Sequence, residues 1–156
     1  MITAIDTNIL LDILIPDGIH SLSSKRLLDR CLEKGQLVIC EVVYAELSSQ
    51  FPSERELRNF LLDTGIRLIH SSREVLYLAG ERWRAYTRKR ERRIQCPRCG
   101  ERISITCPKC HQTVALRDRI LSDFIIGSHA LLHAQLLLTR DRGFYHTNFK
   151  ELRIET

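Results

Sequence analysis

No stretch of this 156-residue chain is long and apolar enough to span a bilayer. The apolar N-terminal run is interrupted by Asp6 and Asp12 and follows no positive segment, so it reads as neither an anchor nor a secretory signal. The run from residue 120 to 138 contains Asp123, His129, His133 and Gln135 and reads as a core helix followed by a strand. Internal repeats are missing, as is low complexity outside one Arg-rich run. Without a secretory signal the expected setting is the reducing cytoplasm. There the six cysteines serve as metal ligands or core residues more readily than as disulfides.

The composition, 44% hydrophobic and 28% charged, is that of one globular domain or of a domain with a small appendage. The net charge of +5 conceals a division. Between Arg82 and Arg119 lie twelve Lys and Arg against three Asp and Glu, whereas the remainder holds twelve against sixteen. A mildly acidic body therefore carries one strongly basic stretch, and four of the cysteines sit inside it.

Apolar, β-branched runs predict strands at residues 1–5, 36–40, 66–70 and 135–138, with a last one near 152–154. Between them, helical periodicity predicts helices at 9–15, 21–34, around 42–47, from Ser53, from Ser71 toward Arg93, and over 118–134. Ser53 with Glu56, and Ser71 with Glu74, have capping-box spacing. Strands separated by helices, never joined by two-residue hairpins, predict an α/β fold with a mainly parallel sheet. Sites in such sheets form beyond the carboxyl ends of the strands, at a topological switch point.

Four acids fall where a charge is structurally awkward: Asp6 closing the first strand, Glu46 on an apolar helix, Asp123 among isoleucines and Phe124, and Asp141 just after the strand ending near Thr139. Each has a plain alternative. Asp6 suits an N-cap, Glu46 an exposed helix position, Asp123 a first-turn acid and Asp141 a turn. Gathered together, carboxylates with no local cation suit a hard divalent ion such as Mg²⁺ or Mn²⁺. Asp12 reads as a solvated helix position and Asp118 as a helix N-terminal acid.

The most specific local signal is a pair of C-x-x-C motifs, Cys96/Cys99 and Cys107/Cys110, seven residues apart. This spacing predicts a structural zinc site with four thiolate ligands, with disulfides or a rubredoxin-like iron as the alternatives. Residues 102–106 are expected to form a short strand joining the two knuckles. An insert over residues 94–115 is too small for its own core, so the metal would supply its folding energy. Cys31 and Cys40 read as core residues, and His129 and His133 as packing or surface histidines.

Arg82, Arg84, Arg88, Lys89, Arg90, Arg92 and Arg93 crowd one helix and its exit, with Trp83 and Tyr86 expected to pack on the sheet. The run offers phosphates an electrostatic footprint, and Arg88, Arg90, Arg92 and Arg93 are its candidate RNA contacts. A protein-docking surface and a merely solvated face are the alternatives.

The segments IDTNILLDIL, EVVYAEL, SDFIIGSHALLHA and LLLTRDRGF resemble, in that order, the motifs of PIN-domain ribonucleases, above all the VapC-type toxins. The resemblance spans nearly all of residues 1–93 and 116–156, leaving 94–115 as an inserted zinc-ribbon-like module. It implies a PIN-like, Rossmann-like sheet and Mg²⁺- or Mn²⁺-dependent hydrolysis of RNA phosphodiesters. Asp6, Glu46, Asp123 and Asp141 match the family's acidic positions, Asn8 the residue bracing the first aspartate, and Thr139 the hydroxyl near the last. It further implies a homodimer inhibited by a small antitoxin, while the lack of an apolar span predicts no membrane partner. A processing nuclease acting on rRNA or tRNA, and a catalytically weak RNA- or protein-binding module, are the alternatives.

Overall fold

The structure, a computed structural model, describes residues 1–15, 19–89, 94–95, 102–114 and 121–156. The chain begins with β1 (Ile2–Ile5), α1 (Thr7–Leu14), α2 (Ser21–Lys34), β2 (Gln36–Ile39), α3 (Glu41–Ser48), α4 (Glu54–Asp63), β3 (Ile66–Leu68) and α5 (Arg73–Lys89). Four short strands follow: β4 (Ile94–Gln95), β5 (Arg102–Ile103), β6 (Ile105–Thr106) and β7 (Thr113–Val114). Then come α6 (Leu121–His133), β8 (Leu136–Leu138), α7 (Arg142–Asn148) and β9 (Ile154–Glu155).

The main sheet has the order β3-β2-β1-β8-β9, and every pairing in it is parallel. Its central strands are buried almost throughout, which is why they read as continuous apolar runs with no alternation. From β1 the chain steps outward through β2 to β3, then returns to the other side of β1 for β8 and β9. The direction thus reverses between β1 and β8. Adjacent chain ends are drawn together there, with the Asp6 N–H donating to Leu138 O at 2.9 Å.

Two glycines permit close approaches. Gly35, at φ 155°, turns α2 into β2 where a Cβ would lie 2.1 Å from Met1 O. On α6, a Cβ at Gly127 would meet the Phe149 ring at 2.5 Å, and this contact seats the fully buried Phe149 against the helix. Cys31 and Cys40 are both core residues.

The structure departs from the sequence-based expectations in several places. Helix α1 starts at Thr7, two residues before the expected 9, and Asp6 caps it, taking the Thr7 N–H at 2.8 Å. Ser53 caps α4 as expected. Ser71 does not cap α5; Ser72 takes the Val75 N–H, while Ser71 gives its N–H and hydroxyl to Glu41. The strand expected over residues 102–106 breaks at Ser104 into β5 and β6, which belong to separate antiparallel hairpins. Helix α7 has no counterpart among the predicted elements, because its seven residues mix Gly, His, Thr and Asn. Trp83 is 37% exposed and does not pack on the sheet, whereas Tyr86 tilts against Phe124. Asp12 is buried, not solvated. Among the described residues no helix is long and apolar enough to cross a membrane.

Candidate active site

The reversal between β1 and β8 leaves the two strand ends side by side, and the residues following them form one hydrogen-bonded unit. Asp6 Oδ2 accepts from Thr139 Oγ1 at 2.6 Å and from Asn8 Nδ2 at 2.7 Å, while Oδ1 takes the Thr7 N–H. Asn8 closes the loop with its other end, as its Oδ1 accepts the Arg140 N–H at 3.0 Å. Thr139 Oγ1 also accepts the Asp141 N–H at 3.0 Å. The parallel pairing of Ile5 with Leu138 makes this possible by bringing Asp6 and Thr139 level.

Asp6 is buried, and that burial pushes its pKa from 3.8 up to about 6. The hydrogen bonds from Thr139 and Thr7 work in the opposite direction, and the charges of Asp123 and Glu46 raise it further. Asp6, Glu46 and Asp123 therefore share one electrostatic neighbourhood, although they come from the end of β1, from α3 and from α6. Glu46 is tied to it through the Thr7 hydroxyl, which donates to Glu46 Oε2. Sequence reasoning misses Thr7, since a helix N-terminal threonine carries no signal for a contact 39 residues away.

Asp141 comes from the segment between β8 and α7. Its Oδ1 accepts the Phe144 N–H at 3.2 Å, so it serves as the N-cap of α7. With Asp6 and Asp123 it contributes to the field that acts on Tyr145. That residue is 1% exposed, and its phenol is held protonated by burial and by the charges of Asp6, Asp123 and Asp141. Sequence reasoning misses Tyr145 as well. Among the described residues its hydroxyl has no hydrogen-bond partner, although it lies within the field of the carboxylates. Tyr145→Phe removes a buried polar group that costs ~1–3 kcal/mol when left unpaired, and a chain of this length gains ~2–4 °C per kcal/mol. The variant's cation-free Tm, followed by calorimetry, is expected to rise by at least ~2 °C; a fall would show that the hydroxyl is paired.

Among the described residues, no three His, Cys, Asp or Glu side chains converge tightly enough to enclose an ion. An octahedral Mg²⁺ does not need such a cage, because it keeps several waters and takes one or two carboxylates directly. The donor set fits that ion: oxygen ligands only, an acid whose charged form is disfavoured by burial and would be favoured by a cation, and an orphan hydroxyl nearby.

The other predicted site residues fall elsewhere. Arg88 is exposed on α5, while Arg90, Arg92, Arg93, Cys96 and Cys99 lie outside the described residues. Arg82, from the same basic run, has a structural role, for it pairs with Glu151, donates to Asn148 O and lies 4.6 Å over the Phe149 ring. His129 is buried and bonds Ile69 O at 2.9 Å, a packing role.

Residues 3–150 match the family model of the PIN domain. The fold is similar to that of VapBC2 from Rickettsia felis bound to a DNA fragment from its promoter, at TM-score 0.61 and 19% identity over 99% of this chain and 98% of that one. It is also similar to VapBC-1 from nontypeable Haemophilus influenzae, at TM-score 0.58 and 16% identity over 99% and 97% of the two chains. A third similar structure is Mycobacterium tuberculosis VapC20, a sarcin-ricin loop cleaving toxin, at TM-score 0.56 and 15% identity over 97% and 98%. No curated protein matches the chain.

Proposed function

The chain belongs to the PIN-domain family, and we propose that it is a Mg²⁺- or Mn²⁺-dependent endoribonuclease of the VapC-like toxin kind, acting in the cytoplasm and held in check by an antitoxin. The observation that carries this reading is Asp6, buried at the switch point within the field of Asp123 and Glu46, its carboxyl pushed up to about 6. In this reading Asp6, Glu46, Asp123 and Asp141 hold the divalent ion, directly or through its waters.

When bound, such an ion offsets the charge of a scissile phosphate and lowers the pKa of a bound water. The chain's own groups do the rest. Asn8 and Thr139 fix both the rotamer and the ionised form of Asp6, because each donates to Oδ2. Thr7 orients Glu46 through its hydroxyl and steadies Asp6 through its N–H. One residue thus couples two of the acids that come from different elements.

The likeness to VapBC structures supports an antitoxin partner, and a homodimer is proposed beside it on the resemblance of the motifs alone. The basic run through Arg88, Arg90, Arg92 and Arg93 supports RNA contact, since it is the one strongly positive stretch of an otherwise acidic sequence. Residues 94–115 are proposed to form a zinc-binding insert within this nuclease domain of residues 1–93 and 116–156.

Purified protein incubated with total RNA is expected to give discrete end-mapped products with Mn²⁺ and none with EDTA. Products that persist in EDTA would refute the metal-dependent mechanism, and no products with either would refute the nuclease.

A further inference from the structure

The loop that braces the carboxylates also positions a group the proposed chemistry does not use. Arg140, between Thr139 and Asp141, gives its N–H to Asn8 and turns its guanidinium along α1, where Nη2 meets Asp12 Oδ1 at 2.8 Å. Asn8 and Asp12 are four residues apart, so they share one face of α1. Asp12 is only 4% exposed, and its other oxygen accepts from Ser24 Oγ on α2 at 2.6 Å. A buried carboxylate held at both oxygens is an expensive way to restrain a surface arginine, and it makes the arginine's direction rigid. The Arg140 side chain remains 40% exposed.

It borders a pocket of about 750 Å³ between α1, α2 and Thr156. Ile9 and Leu27 give this pocket an apolar floor. Arg26 and Arg30 join Arg140 on its walls, Arg30 already paired with Glu155 at 3.3 Å, and Asp29 and Glu33 supply acceptors. The volume falls within the range of small-ligand sites. The lining has the three things an unstacked nucleotide requires: apolar surface for the base, carboxylates for base N–H groups, and arginines for phosphate.

We propose that this pocket is a nucleotide subsite of the RNA strand, in which Arg140 holds a phosphate flanking the scissile one and the adjoining base enters the pocket between α1 and α2. The inference rests on the endoribonuclease reading and deepens it: Arg140 sets where the strand lies relative to Asp6, and the pocket selects the base that occupies it.

Equilibrium binding of a fluorescein-labelled, mixed-sequence 12-nucleotide single-stranded RNA in EDTA over a salt series, alongside cleavage with Mn²⁺, tests the subsite. Arg140→Ala is expected to weaken binding by ~10-fold and to lower the slope of log Kd against log salt by about 0.7, the single-strand value for the loss of one phosphate contact. Asp12→Asn, which frees the arginine but keeps its charge, is expected to weaken binding with the slope retained. Ser23→Trp, a substitution at an exposed position that fills the pocket, is expected to weaken binding and to shift the base preference of the cleavage sites. Melting curves of the three variants confirm folding. If wild type and all three folded variants bind and cleave alike, the subsite is wrong while the nuclease reading stands, and the pocket is left to a protein partner. If wild type neither binds nor cleaves, both are wrong.

Discussion

Asp6→Asn is expected to abolish Mn²⁺-dependent cleavage and, at the same time, to make the cation-free protein more stable at neutral pH. The loss of activity should exceed the ~10–100-fold that removal of a residue merely supporting a metal ligand costs, because Asp6 is proposed as a ligand itself. The gain in stability follows from its pKa of about 6 against an ordinary 3.8. A carboxyl whose folded pKa is raised contributes fully below its unfolded value, and that contribution is lost as pH rises through the folded one. Above pH 6 the ionised, buried Asp6 therefore costs ~3 kcal/mol relative to its protonated form. Asparagine cannot ionise, so the variant escapes this cost. Its amide does meet Asn8 Nδ2 donor to donor, a penalty that does not vary with pH. The decisive quantity is thus how the Tm difference between variant and wild type changes with pH in EDTA. It should be largest near pH 7.5 and shrink as pH falls from about 6 toward about 4. Added Mn²⁺ should raise the Tm of the wild type only. A Tm difference independent of pH, or cleavage at the wild-type rate, would remove Asp6 from the proposed centre.

How much of this is legible in the sequence depends on the range of the interaction. The parallel sheet is readable because its central strands are buried on both faces, which writes continuous apolar runs such as residues 37–39 and 136–138 into the chain. The acids stand out for the converse reason: a charge set in such a run needs an explanation. Pairing over long separations cannot be read. Thr7 with Glu46, and Tyr145 in the field of Asp6 and Asp123, are matters of tertiary arrangement, and neither residue is unusual in its local context. Asp12 shows the same limit in reverse. By spacing alone it is an ordinary polar residue on an amphipathic helix, and only the approach of Ser24 and Arg140 makes its burial tolerable. Helix α7 and the shifted cap at Ser72 are local failures. Seven weakly helical residues held by an aspartate cap and by aromatic packing of Phe144, Tyr145 and Phe149 leave almost no periodic signature.

The cysteine motifs yield the other large effect. Purified protein is expected to carry about one zinc per chain, and Cys107→Ser or Cys110→Ser to lose it. The described half of the insert supports this. Strands β6 and β7 pair Ile105 with Val114 and Thr106 with Thr113, so Cys107 and Cys110 lie in the connecting loop. That loop is tightened by the Cys107 N–H on Gln112 O and the His111 N–H on Cys107 O, both 2.9 Å. The backbone N–H groups of Cys110 and Lys109 turn toward the Cys107 sulfur and hold its thiol below the ordinary value, favouring the thiolate that zinc requires. His111 takes a left-handed φ of 56°, the conformation that ends such a turn. The first motif falls between β4 and β5, which pair Ile94 with Ile103 and Gln95 with Arg102, so each cysteine pair is bracketed by its own antiparallel hairpin. Cys96 and Cys99 themselves lie outside the described residues. Hairpins of two residues per strand have no core to sustain them, whereas structural zinc contributes ~10–16 kcal/mol in small finger peptides. Removing the ion should therefore open residues 94–115 to protease while the sheet of Asp6 and Thr139 keeps its melting transition. Elemental analysis and limited proteolysis before and after chelation decide the matter. Bound iron, or intact protein with all four thiols in disulfides and no metal, would replace the zinc site with one of the alternatives the spacing allows.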